Sequence, residues 1–160
     1  MRFQRRFVLL MATGLFIAAA LGAAGYAASR PNVSSANVDV IRTRSTPRSL
    51  GGGPASPVTI LYVSLPAGSW VVTASATADN FGNGDIVRCG LYRGSTPLDV
   101  ASTVVSAANG MASLAPIGAF KSGGSTAVSL RCSHDGLING ITIDAGAVLW
   151  AHRSSSLNDS

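Results

Sequence analysis

Residues 69–78 read Ser-Trp-Val-Val-Thr-Ala-Ser-Ala-Thr-Ala, and this stretch decides the class of fold. Apolar residues fall at every second position from Trp70 to Ala78, and hydroxyl side chains fill most of the positions between them. A period of two is the mark of a half-buried β-strand. The stretch therefore predicts a strand with one face in a core, which includes Trp70, and the other face in solvent.

Further predicted strands surround this one. Residues 58–65 are rich in β-branched residues, and Pro66-Ala67-Gly68 supplies the turn that joins them to residues 69–78 as a hairpin. The other predicted strands cover residues 86–92, 99–108, 111–120, 126–132 and 141–152, with Asn109-Gly110 as a hairpin turn. Seven to eight strands at this spacing predict an all-β fold, a single antiparallel β-sandwich or jelly roll over residues 57–153.

Gly146 leaves two alternatives for the last predicted strand. A β-bulge at Gly146 would bring Val148 and Trp150 to the same face as Ile141. Without the bulge, Trp150 faces outward.

The two cysteines lie on the apolar faces of two predicted strands, in the patterns Val87-x-Cys89-x-Leu91 and Val128-x-Leu130-x-Cys132. In an oxidising compartment such a pair forms a bridge. A redox-active pair would have Cys-x-x-Cys spacing, and a structural zinc site would need four ligands. The sequence therefore predicts a structural Cys89–Cys132 disulfide and no cofactor.

The first 27 residues have the three zones of a signal peptide. Three arginines precede an apolar run over residues 7–24, and small residues follow it. Gly25 and Ala27 predict cleavage after Ala27, and a cut after Ser29 is the next choice. The alternative is an uncleaved anchor, a membrane tether through residues 8–28. Both place the remainder outside the cytoplasm, secreted or membrane-anchored.

The segments on either side of the predicted domain differ from it in composition. Residues 28–56 are rich in Pro, Gly, Ser and Arg and show no apolar periodicity. Such a segment buries too little surface to offset its ordering entropy, which predicts a disordered linker. Residues 154–160 are predicted to form a disordered tail.

The net charge of +5 belongs to the N-terminal part of the chain. From residue 55 to residue 153 there are five basic and five acidic residues, so the predicted domain is neutral. A phosphate-binding face needs clustered surplus positive charge. We therefore predict that nucleic acid is not a partner.

The loop over residues 79–85 is the candidate metal site. Asp79, Asn83 and Asp85 offer carboxylate and amide oxygens, which are the ligands that calcium prefers. The same residue types are also the usual ones of a tight turn, and the spacing differs from an EF-hand loop. Calcium binding and a plain turn remain the two alternatives here.

Two other kinds of site are weaker. A sugar platform would use Tyr92, Trp150 or Phe81, if these rings converge in a concavity. A secreted hydrolase would use His134 or His152, but no Gly-x-Ser-x-Gly elbow occurs, and His134 follows a predicted strand where a turn begins. No catalytic residues are predicted.

Residues 65–74, together with Cys89-x-Leu91 and Leu130-x-Cys132, resemble small secreted β-sandwich proteins of actinobacteria, over about residues 58–152. The Pro-Ala-Gly-Ser-Trp segment is also similar to the opening strands of jelly-roll domains of the complement C1q and tumour-necrosis-factor type. The first resemblance implies a fold and an extracellular location, and no particular activity.

These observations favour a non-enzymatic secreted or cell-surface module with a structural or recognition role. Its partner would be a cell-wall polymer, a glycan or a protein. A calcium-dependent or carbohydrate-binding adhesive module is the alternative, and a secreted hydrolase is a further one.

Overall fold

A computed structural model describes residues 38–51, 53, 56–136, 140–155 and 157 of the 160-residue chain. These residues form eleven strands: β1 Asp39–Thr43, β2 Arg48–Ser49, β3 Val58–Leu65, β4 Gly68–Asn80, β5 Asp85–Arg93, β6 Thr96–Val105, β7 Gly110–Leu114, β8 Ile117–Ser122, β9 Thr126–His134, β10 Ile141–Ile143 and β11 Val148–Ser154. The predicted export segment lies outside the described residues. Within them, no helix has the length and apolar character needed to span a membrane.

The strands form two antiparallel sheets. The four-stranded sheet has the order β3-β9-β5-β6. In the seven-stranded sheet, the long strand β4 is flanked by β11 and β8 along its first half and by β10 and β7 along its second half. β1 extends this sheet beyond β11, and β2 extends it beyond β10. The all-β antiparallel sandwich is thereby confirmed.

The predicted faces of β4 are confirmed. Trp70, Val72 and Ala78 are fully buried, and they line the core together with Ala74 and Ala76. The Trp70 Nε1–H donates a hydrogen bond to the carbonyl oxygen of Pro66 at 3.0 Å, so the one polar atom of this buried ring is satisfied. The tryptophan therefore anchors the β3–β4 turn to the core.

The Cys89–Cys132 disulfide is present and completely buried. Both residues lie on the inward face, and they are direct partners on the neighbouring strands β5 and β9, with Cα atoms 4.1 Å apart. The bond therefore joins two strands of one sheet rather than the two sheets. The cysteines are 43 residues apart, and in the chain-entropy model a loop of this length gives about 4 kcal/mol of stability.

The turn at Asn109-Gly110 is present, but the predicted hairpin is wrong. β6 pairs with β5 in one sheet, and β7 pairs with β4 in the other, so the turn crosses between the sheets. Positive φ angles fall on Ala108 and Asn109. Gly110 is required for space, because a Cβ there would lie 2.3 Å from the Ser106 carbonyl oxygen.

Two long predicted strands are each divided. Residues 111–120 form β7 and β8, separated at Ala115-Pro116, where proline supplies no N–H to a ladder. Residues 141–152 form β10 and β11, separated by a turn in which Gly146 has a φ of 93°. These divisions, with β1 and β2, raise the count from the predicted seven or eight strands to eleven.

The bulge alternative at Gly146 is wrong. The inward and outward alternation of side chains in β10 continues in the same phase after the turn, so Ala147, Leu149 and Ala151 face the core. Trp150 therefore points to the outer side of the sheet and is half-buried.

Two strands lie inside the segment predicted as a linker over residues 28–56. Four of the five side chains of β1 are exposed, so β1 is held by its backbone ladder to β11 and shows no apolar alternation. Leu50 follows β2, is completely buried, and donates its N–H to Ile141 O at 2.9 Å. The folded part therefore includes β1, β2 and Leu50, which lie inside the segment predicted as a linker.

Candidate functional site

The aromatic side chains expected to form a sugar platform lie in three different places. Phe81 is exposed in the turn between β4 and β5. Tyr92 lies on the outer face of the four-stranded sheet, and Trp150 lies on the outer face of the seven-stranded sheet. The structure does not bring them together, so each ring has its own surroundings.

The three calcium candidates divide between two places. Asn83 and Asp85 line a small cavity together with Asn80, Gly136 and Ile141. Asp79 points to the opposite side of β4 from Asn80, because successive side chains of a strand alternate. It lies near Asp144. Calcium binding by the loop stays a prediction, with Asp79 placed apart from the other two residues.

The Asp79–Asp144 pair has a clear electrostatic effect. Burial, a hydrogen bond with Asp144 and the repulsion between the two carboxylates all raise the pKa of Asp79. The Oδ1 atom of Asp79 is buried, and the described part of the chain offers it no hydrogen-bond partner. Ionised Asp79 is thus unfavourable in the fold.

His134 ends β9 as expected, but its ring lies in the core and not in an exposed turn. The side chain is 0% exposed, and its Nδ1 atom lies 2.7 Å from Asp85 Oδ2. The carboxylate also accepts hydrogen bonds from the N–H groups of Ile86 and Gly136. Burial raises the pKa of Asp85, but the hydrogen bonds from His134, Ile86 and Gly136 outweigh burial and hold this pKa below its usual range. A completely buried imidazole cannot contact a substrate.

Asn80 is a buried polar residue at this end of the sandwich that the sequence patterns did not single out. Its side chain is 1% exposed. The two N–H donors of Nδ2 are shared among the carbonyl oxygens of Asn83, Val105 and Ser106, and Oδ1 accepts from the Gly82 N–H at 2.8 Å. Asn80 therefore fastens the β4–β5 turn to the β6–β7 turn. Asn80 lies two residues after the buried Ala78, so the period of two in β4 indicates that its side chain also faces the core.

His152 lies in a different setting, on the outer face of the seven-stranded sheet. Its Nδ1 atom is 2.6 Å from Asp39 Oδ1 on the neighbouring strand β1, and both side chains are partly exposed. The His152 ring lies 5.7 Å from the Trp150 ring, tilted by 36°. Since a carboxylate only accepts, Nδ1 carries the proton, and Nε2 of the neutral ring is an acceptor.

Trp150 belongs to a row of cross-strand partners that crosses four strands. Ile41 on β1 faces Trp150 on β11, Trp150 faces Thr73 on β4, and Thr73 faces Ile117 on β8. With neighbouring strands roughly 4.8 Å apart, the row is about 14 Å long. The next row holds Asp39 and His152, followed by Val71 and Ala119.

We name these two rows the tryptophan face, comprising Asp39, Ile41, Val71, Thr73, Ile117, Ala119, Trp150 and His152. Ile41 is 56% exposed and Ile117 is 58% exposed, at the two ends of the row that contains the half-buried indole ring. The face thus combines an apolar strip with an acceptor nitrogen, a carboxylate and a hydroxyl.

No protein-family model matches the sequence, and no curated protein matches it. Among solved structures, the chain is similar to one in the structure of infectious bursal disease virus Gx strain, with 13% identity, 76% of this chain covered and a TM-score of 0.48. It spans 34% of the viral chain, about one third of that length. It is also similar to the EclA C-terminal domain, a sugar-binding protein, with 17% identity, 76% and 84% of the two chains covered and a TM-score of 0.39. Likenesses at these scores assign no function to this chain.

Proposed function

We propose that this protein is a non-enzymatic recognition module, exported and then secreted or held at the cell surface, that binds a glycan through its tryptophan face. The buried Cys89–Cys132 disulfide and the predicted export segment support an oxidising, extracytoplasmic location. The observation that carries the binding role is the half-buried Trp150 ring, placed in register between Ile41 and Thr73 and beside the Asp39–His152 pair.

The chemistry of a sugar matches this arrangement. A pyranose ring presents an apolar C–H surface, which packs on an indole ring, and hydroxyl groups around its rim. Trp150 is a large, rigid contact that loses little conformational freedom on binding. The Nε2 atom of His152 accepts a hydrogen bond from a sugar hydroxyl, and the exposed carboxylate oxygens of Asp39 accept another.

The shape of the face favours a polymer over a small molecule. Small ligands bind in concave pockets that bury most of their surface. The tryptophan face is instead the outer side of a sheet, with contacts spread over about 14 Å across four strands. A chain of several sugar rings covers such a surface, and one ring does not.

A hydrolytic role receives less support from the two histidines. His134 is completely buried, and among the described residues its Nε2 atom has no hydrogen-bond partner. His152 pairs with Asp39 on an outer sheet face, where water is not excluded from a reacting group.

Tryptophan fluorescence tests the proposal directly, because Trp70 is fully buried and Trp150 is the ring that a ligand can reach. We expect the full-length protein to change its emission on titration with at least one of cello-oligosaccharides, chitin oligosaccharides or soluble peptidoglycan fragments. Trp150→Ala should weaken the binding at least tenfold, measured by calorimetry. Phe81→Ala removes an aromatic ring that is 66% exposed in the β4–β5 turn, outside the tryptophan face, and it should leave this binding unchanged.

Three results would overturn the proposal. The first is no binding to any of these three glycan classes. The second is equal binding by the wild-type protein and Trp150→Ala. The third is turnover of a glycan by the wild-type protein that is lost in His152→Ala, which would make the module an enzyme.

A further inference from the structure

The outer face of the four-stranded sheet carries a second group of aromatic and basic side chains. Ser129 on β9 faces Tyr62 on β3 and Tyr92 on β5, so the two tyrosines lie in one cross-strand row. Arg131 lies in the next row and faces Gly90. We name Tyr62, Gly90, Tyr92, Ser129 and Arg131 the tyrosine–arginine face.

The guanidinium group of Arg131 is held in one orientation by three contacts. Its carbon atom lies 4.8 Å from the centre of the Tyr92 ring. Its Nε–H donates to Ser129 Oγ at 2.9 Å, and Nη2 donates to the Gly94 carbonyl oxygen at 2.6 Å. These contacts leave the Nη1 edge for a further acceptor, because a guanidinium has five N–H donors.

The ion pairs in the described part of the chain do not include Arg131. They join Arg88 to Asp135, His134 to Asp85 and His152 to Asp39. Arg131 is therefore an oriented cation whose contacts are a hydroxyl group, a carbonyl oxygen and an aromatic ring, and none of them is a carboxylate. Ordering a long arginine side chain costs conformational entropy. Because the Arg131 side chain is already ordered by these contacts, a carboxylate ligand binds it without that entropy loss.

Gly90 lets the Tyr92 ring pack closely against the β5 backbone beside this cation. A Cβ atom at this position would lie 2.9 Å from Cε2 of Tyr92 and 3.1 Å from both Val100 Cγ2 and the Asp99 carbonyl oxygen. With glycine there, the Tyr92 ring lies directly over the β5 backbone. The Tyr92 ring is thereby held between the β5 backbone and the Arg131 guanidinium group.

We infer that the tyrosine–arginine face binds an acidic polysaccharide, by accepting the carboxylate of a uronic acid unit at Arg131. A guanidinium edge matches the planar, two-oxygen geometry of a carboxylate. The exposed Tyr62 ring, in the same row as Tyr92, packs against the sugar ring next to that carboxylate. A uronic acid unit supplies the planar anion and the ring together, whereas a linear phosphate polymer supplies no ring.

This inference stands apart from the proposed function, because the two faces belong to different sheets. A negative binding result for one face therefore does not contradict the proposal for the other face. Variants of each face serve as controls for binding at the other. Trp150→Ala should not change binding at the tyrosine–arginine face.

The probe is an oligogalacturonate, compared with its methyl ester, which keeps the rings and removes the charges. We expect the full-length protein to bind the oligogalacturonate and to bind the ester at least tenfold more weakly. Arg131→Gln should lower the affinity at least tenfold, and Tyr62→Ala should lower it severalfold. Arg93→Gln is the matched control, because it removes the same charge from a guanidinium stacked at 5.6 Å on Phe120 and should have little effect.

Near-ultraviolet circular dichroism and thermal melts establish that each variant is folded, and the largely exposed Tyr62 makes Tyr62→Ala the safest of them. Several outcomes would contradict the inference: no binding of the oligogalacturonate, equal affinity for its methyl ester, or equal losses in Arg93→Gln and Arg131→Gln, which would indicate unspecific electrostatics. Preferential binding of a glycerol-phosphate polymer, or loss of oligogalacturonate binding in Trp150→Ala, would also reject it.

Discussion

The Nδ1 atom of His134 lies 2.7 Å from Oδ2 of Asp85, in a part of the core where the imidazole is completely buried. The same carboxylate accepts hydrogen bonds from two backbone N–H groups. This interaction joins the start of β5 to the end of β9. It uses a histidine and an aspartate, as a catalytic pair would, to close one end of the sandwich.

Asp85→Asn should destabilise the protein by about 2–3 kcal/mol at pH 7, because hydrogen bonds to a charged group are worth more than neutral ones. The folded-state pKa of Asp85 is lowered, so its contribution is present above the unfolded carboxyl pKa and is lost as the pH falls through the folded pKa. Urea unfolding at pH 7 and pH 3 should show the deficit of the variant shrinking in acid. Asp135→Asn, at a half-exposed ion pair with Arg88, should cost less than about 1 kcal/mol.

Asn80→Ala should cost about 3 kcal/mol, because three carbonyl oxygens and one N–H lose their partner in a region that is largely buried. Asn83→Ala is the matched control, since Asn83 contributes only its backbone carbonyl to this network and should change stability by about 0.5 kcal/mol or less. Guanidinium unfolding of both variants measures the difference. Equal losses would show that Asn80 does not hold the two turns together.

Asp79→Asn should stabilise the protein near neutral pH. Since the folded-state pKa of Asp79 is raised, its favourable contribution is complete below the unfolded pKa and is lost as the pH rises through the folded pKa. The amide removes that loss, so the melting temperature of the variant should exceed that of the wild type at pH 7 and match it at pH 3. A lower melting temperature at pH 7 would mean that ionised Asp79 has a stabilising partner, such as a bound cation.

Local patterns predicted the strands whose side chains alternate. The apolar face of β4, from Trp70 to Ala78, was predictable from the sequence, because burial of every second residue produces a period of two in hydrophobicity. The same signal placed Cys89 and Cys132 on inward faces. β1 could not be found in this way, because its exposed side chains carry no such signal and its stability comes from backbone pairing with β11.

The tryptophan face was not predictable for a related reason. Asp39 and His152 are 113 residues apart, and they meet only because β1 and β11 pair in one particular register. The outward direction of Trp150 depends on the number of residues in the turn before β11, which the bulge alternative at Gly146 left open. Cross-strand rows are products of long-range pairing, so sequence patterns indicate their members and not their neighbours.

The segment around Leu50 offers the sharpest test of where the folded part begins. Leu50 is completely buried against the core, and its N–H pairs with Ile141. Leu50→Ala should cost about 2–4 kcal/mol, the usual range for a buried leucine. Val38→Ala, at a side chain that is 40% exposed, should cost less than about 1 kcal/mol.

A chain that begins at residue 57 lacks β1, β2 and Leu50 together, and it should melt well below a chain that begins at residue 38. Coincident melting curves for these two chains would return residues 38–56 to the role of a linker.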